Sequence, residues 1–389
     1  MKKFYILLLG IVLSMSILTF PKINTKISLA DESEFKSKSY CLMDYDSGKI
    51  LQEKNIDERL PIASMCKIMT LILSFEEIEN GNIDFDTKIC ISENASGMGG
   101  SQVFLETNGE YTVDTLIKSI VVASANDACV AMAEKICGSE DDFVSKMNEK
   151  ATELNMNNTV FVNATGLPCP GQYSCAKDVA IMLKKLLSFN KYFNYSTIWM
   201  DKVIHNEERY TEISNTNKLI RFYKGCDGGK TGYTSEAGHC LSATAKKDGL
   251  RLISVIIHAP DSKTRFNEAS KLFNYGFANY KNKQILSKET PLDINVKVKN
   301  SNNDVISIIS QEDFYILSKK DEKLVLDIDF KPKSDIVAPV NKGDILGEII
   351  IYNNGEEIKR VNALSNEDAP KLTFNEVLYN VLDNWIIFN

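Results

Sequence analysis

Histidine is scarce in this chain: three occur in 389 residues, and His205, His239 and His258 lie far apart. There is no Cys-x-x-Cys pair and no Cys/His cluster, which argues against a bound metal. There is also no polybasic block, and the formal net charge of -7 argues against nucleic acid as a partner. The nine cysteines cannot all pair, because their number is odd. Several, such as Cys129 and Cys137, fall in apolar helical runs and read as small buried hydrophobes. In an exported chain that requires slow oxidation, as in an anaerobic setting. Against these absences stands an ordinary globular composition, 44% hydrophobic and 25% charged, long enough for two or three domains.

The N-terminus, "MKKFYILLLGIVLSMSILTF", places two lysines before an apolar run. Small residues follow at Ser28–Ala30, so residues 1–30 read as a secretory signal peptide and the mature chain starts near Asp31. The alternative is an uncleaved membrane anchor, since the apolar run is near the upper length for a signal. Either way the protein is exported, to the outer face of the cytoplasmic membrane or the cell wall space.

Alternation over Ser39–Glu53, with Asp-Ser-Gly at its turn, predicts a β-hairpin. Helical periodicity follows at Ser64–Glu79, Val113–Ser124, Asp127–Ile136, Asp141–Leu154 and Ala176–Phe189. Strands return between Lys230 and Ala259, around a Lys-Lys-Asp-Gly turn, and Glu268–Tyr280 reads as a closing helix. This order predicts an α+β, three-layered domain over 31–285. Short alternating strands, including the "NNGEE" hairpin turn at Asn353, predict a small β-sandwich domain over 286–366. The tail, 367–389, carries one apolar helical stripe: Phe374, Val377, Leu378, Val381, Leu382, Trp385 and Ile386. Thr373 and Glu376 form a capping-box pattern ahead of it. The stripe predicts interfacial membrane binding by burial alone, because the polar face has Glu376 and Asp383 and no lysine. Packing on its own domain is the alternative.

Three short stretches carry chemistry. In "PIASMCKIMT", Ser64 and Lys67 are three residues apart at the start of an apolar helix, hence neighbours on one face. A serine hydroxyl needs a base, and a desolvated lysine amine can be one. Ser-x-x-Lys also occurs at Ser33–Lys36 and Ser174–Lys177, without the apolar helix. In "VVASANDA", Ser124 and Asn126 fall between two helical runs and can project into a cleft. In "DGGKTGYTSEAGHC", Lys230, Thr231 and Gly232 are expected to open a strand after Gly228 and Gly229. Each motif alone is weak. Together and in this order they are the signature shared by penicillin-binding proteins and class A β-lactamases.

The sequence resembles the low-molecular-weight penicillin-binding proteins, the serine-type D-alanyl-D-alanine carboxypeptidases. The resemblance covers nearly the whole mature chain, through "YDSGKIL", "GSQVFLETNGEYTVDTLIKSIVVASANDA", "ATGLPCPGQYSCAKD" and the Lys230–Ala259 region. It implies a penicillin-binding/β-lactamase-like α+β domain with an antiparallel sheet flanked by helices, a small β domain and a C-terminal amphipathic helix. It also implies an acyl-enzyme on Ser64, with Lys67 as base, Ser124 and Lys230 returning a proton to the departing amine, and no cofactor. Asn126, Thr231, Gly232 and Tyr233 would bind substrate, with the backbone N–H groups of Ser64 and Tyr233 as the oxyanion hole. Arg265 aligns with an arginine the family uses for the terminal carboxylate. The implied ligands are a peptidoglycan stem peptide and β-lactam antibiotics. Cys66, Thr165 and Thr216 depart from the family's usual Thr, His and Arg; Cys66 should point away from the cleft with little effect, and the other two bear on substrate preference, not on the chemistry. The rivals are a class A-like β-lactamase and a non-catalytic penicillin-binding scaffold. Lactamases use an extra glutamate in Glu-x-x-Leu-Asn, and "KATELN" has Ala151 at that place.

Overall fold

The computed structural model describes residues 35–387; the expected signal peptide, Ser33 and Phe388 lie outside them. The chain opens with the hairpin β1 (Ser39–Asp44) and β2 (Ile50–Lys54). A 3-10 turn at Ala63–Cys66 leads into α1 (Lys67–Glu79). Short strands β3 (Lys88–Cys90) and β4 (Glu110–Thr112) flank α2 (Glu93–Ser96). Helices α3 (Val113–Ala123), α4 (Asn126–Cys137), α5 (Glu140–Glu153), α6 (Ala176–Leu186) and α7 (Phe193–Ser196) follow. A hairpin of β5 (Met200–Ile204) and β6 (Tyr210–Ser214) and the short α8 (Leu219–Phe222) lead back to the sheet. That sheet is completed by β7 (Cys226–Thr234), β8 (Gly238–Lys247) and β9 (Leu250–Ala259), and α9 (Ser262–Asn279) closes the domain.

The five-stranded sheet has the order β2-β1-β9-β8-β7, with every neighbouring pair antiparallel. Strand periodicity explains its two faces. Tyr40 and Leu42 on β1 join Leu252 and Ile256 against Leu272 and Phe273 of α9. Cys41 and Met43 point the other way, with Ile253 and Val255, into a core shared with Ile68 and Leu71 of α1 and Leu183 of α6. Both faces of β1 are therefore covered, and every residue in it is buried. Each large apolar side chain taken fully from water contributes about 1.5–3 kcal/mol. The result is three layers, as the order of elements implies.

Several boundaries differ from those read in the sequence: α1 begins at Lys67 after the 3-10 turn that holds Ser64, and α6 ends at Leu186. β7 begins at Cys226, so Lys230 lies in mid-strand and does not open it. Gly228 and Gly229 belong to the strand because their bare backbone lets Tyr192 lie against it: the Gly229 N–H donates to the Tyr192 hydroxyl at 2.9 Å. α9 begins at Ser262, where the Asp261 side chain accepts from Thr264 N–H and caps the helix.

The second unit contains β10 (Tyr280–Leu286), β11 (Asn295–Lys297), β12 (Val305–Ser310), β13 (Phe314–Lys319), β14 (Leu326–Pro332), β15 (Ile345–Asn353) and β16 (Glu356–Ser365). A sheet of order β11-β12-β16-β15-β14 and the β10-β13 pair share a core of Leu286, Ile306, Ile308, Ile349 and Ile351. Asn354 and Gly355 turn the β15–β16 hairpin with φ of 52° and 84°, as a type I′ turn requires. Helix α10 (Phe374–Ile387) ends the described chain. Its capping box forms: Thr373 N–H and Glu376 N–H each donate to the other residue's side chain.

Candidate active site

Ser64 sits on the 3-10 turn, one residue after Ala63, whose φ of +47° makes a sharp bend. A non-glycine residue in that region stores about 1–3 kcal/mol of strain, which surrounding packing must hold. Two glycines provide it. Gly166 has φ +80°, and a Cβ there would lie 2.1 Å from the Ala63 carbonyl oxygen and 2.9 Å from the Ser64 nitrogen. A Cβ on Gly232 would lie 2.6 Å from the Ile62 carbonyl oxygen and 3.2 Å from the Ser64 nitrogen. The turn is thus gripped between the 163–167 loop and β7, backbone against backbone.

Lys67 opens α1 and is fully buried. Its Nζ donates to Ser64 Oγ at 2.9 Å and to the Thr165 carbonyl at 2.5 Å. Burial pushes its pKa below the ordinary lysine range. The thiolates of Cys129 and Cys66 would oppose this, but burial pushes the Cys129 thiol up to about 11 and Cys66 higher still. Both thiols are therefore protonated near neutrality and leave Lys67 without that support. Lys230 is also buried, and its pKa lies well below the usual range through burial, then the Lys67 charge, then Arg265. Two buried amines so close do not both keep a proton. Burial is the first cause of the lowering at both amines.

Ser124 ends α3 in the left-handed conformation, φ 63°. Its Oγ is buried without a partner, as is Asn126 Oδ1. Asn126 Nδ2 donates to the Gly99 carbonyl at 2.6 Å. Lys230 Nζ has one long bond, 3.3 Å to the Thr231 carbonyl. An unmet buried polar atom costs about 1–3 kcal/mol, so three under-satisfied groups from separate elements mark a place built for a ligand. Thr231 is buried beside them. Tyr233 is 58% exposed and stacks on His239, ring centroids 4.4 Å apart, so its side chain is turned toward solvent.

Arg265, in the first turn of α9, is buried; its Nη1 donates to the carbonyls of Gly232 at 2.9 Å and Cys240 at 3.1 Å. One arm of the guanidinium therefore holds the strand, and Nη2 has only a 3.4 Å bond to Ser262 Oγ. Sequence reasoning missed two supports. Thr165 acts through its carbonyl, which no side-chain signature reveals. Asp127, next to Asn126, accepts from the N–H groups of Val103 and Leu105, both at 3.1 Å, and pins the loop that borders Asn126.

The first half of the open edge of β7 is covered. Ser196 Oγ donates to the Asp227 carbonyl at 2.5 Å and Asn217 Nδ2 to that of Gly228 at 3.1 Å. Beyond it, the Lys230–Thr234 half runs beside Ser64. A shallow recess of about 10 Å³ opens there, between Pro61, Leu167 and Thr234.

The D-alanyl-D-alanine carboxypeptidase family model matches residues 25–261, and the model for the C-terminal domain of penicillin-binding protein 5 matches 280–371. This chain belongs to the D-alanyl-D-alanine carboxypeptidases. It is 40% identical to the D-alanyl-D-alanine carboxypeptidase DacF of Bacillus subtilis over 358 residues, 92% of each chain. Its fold is similar to that of penicillin-binding protein 5 from Haemophilus influenzae, with a TM-score of 0.68 at 29% identity over 87% of this chain and 98% of that one. Penicillin-binding protein D2 from Listeria monocytogenes, solved in an ampicillin-bound form, gives 0.57 at 29% identity over 64% of this chain and 100% of that one. The protein is a serine-type D-Ala-D-Ala carboxypeptidase of peptidoglycan, in a family that acts on the cell wall outside the cytoplasm. The lactamase alternative loses its glutamate position too: Ala151 of this carboxypeptidase is buried in the core face of α5.

Proposed function

We propose that Ser64 attacks the carbonyl between the last two D-alanines of a peptidoglycan stem peptide, with Lys67 as its base. The observation that carries this is the 2.9 Å contact between the buried Lys67 amine and the half-buried Ser64 hydroxyl. With the amine neutral, one of its N–H groups stays on the Thr165 carbonyl. That bond turns the lone pair toward Ser64, whose O–H then donates to it. The N–H groups of Ser64 and Tyr233 receive the oxyanion, each worth about 3 kcal/mol of transition-state stabilisation in comparable sites. Ser124 and Lys230 return the proton to the departing amine, and their lack of other good partners suits that task. Asn126 Oδ1 accepts from the peptide backbone. A β-lactam enters by the same attack and stays as the acyl-enzyme. We retain the division at 31–285, 286–366 and 367–389.

Thr231 and Arg265 bind the carboxylate of the leaving D-alanine. Because Nη1 is occupied, Arg265 acts as a nearby cation with one free arm, and the Thr231 hydroxyl supplies the short bond. Peptides ending in D-alanine should therefore be turned over at least tenfold faster, by kcat/KM, than the same peptides as C-terminal amides. In Arg265→Lys the brace on Gly232 and Cys240 is lost for both substrates, and the acid should slow more than the amide, so that the acid–amide ratio falls. Equal turnover of acid and amide by the unmodified enzyme refutes the carboxylate site.

α10 binds a membrane surface. Its described apolar residues, Phe374, Val377, Leu378, Val381 and Leu382, are 44–81% exposed, which supports an unpartnered stripe. Among the described residues no helix is long and apolar enough to cross a membrane, so the helix would lie in the interface. Deleting 373–389 should release the protein from vesicles in a flotation assay while soluble-peptide turnover persists. A truncated chain that unfolds or aggregates would show instead that the helix packs on its own domain.

A further inference from the structure

Asn126 leans on a loop that other parts of the chain must hold. The segment 99–106 has neither helix nor strand. Its Ser101 carbonyl accepts from Asn126 N–H at 2.7 Å, and its Gly99 carbonyl from Asn126 Nδ2 at 2.6 Å. Asp127 ties the loop from one side, through the N–H groups of Val103 and Leu105. The β5–β6 hairpin ties it from the other. Arg209, in the hairpin turn, pairs with Glu106 and donates from Nη2 to the Phe104 carbonyl at 2.7 Å. Phe104 has a φ of +62°, a conformation that a phenylalanine keeps only where its surroundings impose it.

His205 completes this tie. Its Nδ1 lies 2.7 Å from the Tyr111 hydroxyl on β4, and its Nε2 lies 2.8 Å from the Thr211 hydroxyl on β6. Thr211 donates its hydrogen to the Val103 carbonyl at 2.9 Å. Toward His205 it can therefore only accept, and Nε2 must carry the ring proton. Tyr111 accepts from Glu106 N–H at 3.3 Å, which leaves its own hydrogen for Nδ1. Every donor meets an acceptor along one chain, from Glu106 N–H through Tyr111, His205 and Thr211 to the Val103 carbonyl. Both ends are backbone groups of the loop. The chain closes only with a neutral imidazole. In the imidazolium both nitrogens donate, and the hydrogen of the buried Tyr111 hydroxyl loses its acceptor.

We propose that His205 is a positioning residue for the reaction: as the neutral imidazole it ties the 99–106 loop, and through it Asn126, to the β5–β6 hairpin, and protonation loosens that tie. The inference rests on the substrate contact given above to Asn126. The titratable and charged groups facing the ring are Tyr111 of β4, Glu106 of the loop, Arg209 of the hairpin turn and Asp127 of α4. Burial and the Arg209 charge hold His205 below the ordinary histidine range, against the carboxylates of Glu106 and Asp127. A loosened loop frees the ring, and its pKa returns toward about 6.5. The tied state thus takes up a proton less readily than the loosened one. It is favoured above that value and gives way as pH falls below it.

The test measures kcat/KM for a soluble peptide ending in D-alanyl-D-alanine at pH 8 and at pH 5, the interval in which histidine titrates. Lys67 imposes its own pH dependence on every variant, so the ratio of two enzymes at one pH removes it. His205→Ala should be about tenfold slower than the unmodified enzyme at pH 8, mainly through KM, and within about twofold of it at pH 5. His205→Gln offers one donor and one acceptor at either pH; it should stay within about threefold of the unmodified enzyme at pH 8 and exceed it at pH 5. Thermal unfolding at each pH checks that both variants fold. An Ala ratio that is the same at both pH values marks a merely structural residue and overturns the proposal. A Gln variant that falls with acid as steeply as the unmodified enzyme overturns it too. Amide exchange of residues 103–106, which involves no substrate, should quicken at pH 5 relative to its intrinsic rate in the unmodified enzyme and not in His205→Gln. Quickened exchange with an unchanged kinetic ratio overturns the link to Asn126, and steady exchange overturns the tie itself. Failure of the Ser64 assignment would appear in adduct mapping, which does not involve His205.

Discussion

Penicillin is expected to leave one covalent adduct, on Ser64, with Ser64→Ala giving none and Lys67→Ala slowing its formation by about a thousandfold or more. The reasoning begins with burial. Lys67 has no exposure to water, and among the described residues its amine is held by Ser64 Oγ and the Thr165 carbonyl. Such a site disfavours the ammonium and keeps a lone pair available at a pH where an exposed lysine has none. The sign follows: acylation should rise with pH as Lys67 loses its proton, and level off below the ordinary lysine range. Lys67→Ala should lack that rise over the same interval. The measurements are intact mass, peptide mapping and the second-order rate of acylation by a fluorescent penicillin across pH. A mapped adduct on Ser174, or a Lys67→Ala rate within a few fold of the unmodified enzyme, would sink the assignment. A Ser64→Ala protein that still melts cooperatively separates lost chemistry from lost fold.

The second large effect is expected from one added methyl group. Gly166→Ala should cut acylation at least a hundredfold while the domain remains folded. The new Cβ would lie 2.1 Å from the Ala63 oxygen and 2.9 Å from the Ser64 nitrogen, so the 3-10 turn must move. That turn carries both the nucleophile and one oxyanion donor, and a misplacement of about 1 Å at such a site costs on the order of a hundredfold. Backbone strain alone would also lower stability, since φ is +80°. Gly171→Ala separates the two effects. It has φ +87° and nothing within 4 Å of a new Cβ. It should lower the melting temperature by a few degrees and leave acylation within about twofold. If Gly166→Ala behaves like Gly171→Ala, the close approach does not position Ser64.

The contrast between side chain and backbone explains how much could be read in advance. Ser64, Lys67, Ser124, Asn126 and Lys230 are visible in the sequence because the chemistry needs those side chains at those spacings. Helices α5 and α6 are visible because each buries one stripe, and α3 and α4 because their apolar runs are long enough for a helix, although the first eight residues of α4 are buried all round; β1 is visible because it lies between turn residues. The Thr165 carbonyl is not visible, since any residue supplies one. Asp127 is visible only as an acid in a helix's first turn; its grip on Val103 and Leu105 depends on a loop brought from elsewhere in the chain. The start of β7 is obscured by Gly228 and Gly229, which read as a turn until Tyr192 is seen against them. The β5–β6 hairpin escapes because alternate residues, among them Met200, Ile204 and Tyr210, are exposed although apolar or aromatic. The Arg265 guanidinium is legible as a cation near a strand, but not as a brace for the carbonyls of Gly232 and Cys240.

The order of strands in the sheet also sets a schedule for making the protein. β1 and β2 leave the ribosome first, yet the neighbour of β1 is β9, with Tyr40 opposite Ile256. Until that distant segment and α9 have been synthesised, the hairpin waits with one edge and the face of Tyr40 and Leu42 uncovered. The helices from α1 to α6 can begin to collapse meanwhile, because many of their contacts with one another are closer in sequence, although their core is completed only by the later strands. The waiting hairpin is the part most open to wrong partners during that interval, including the same hairpin in another nascent chain. A chain broken off before Leu250 would never be relieved of it. Such fragments should need a holding chaperone throughout, whereas those ending after α9 should be released from it.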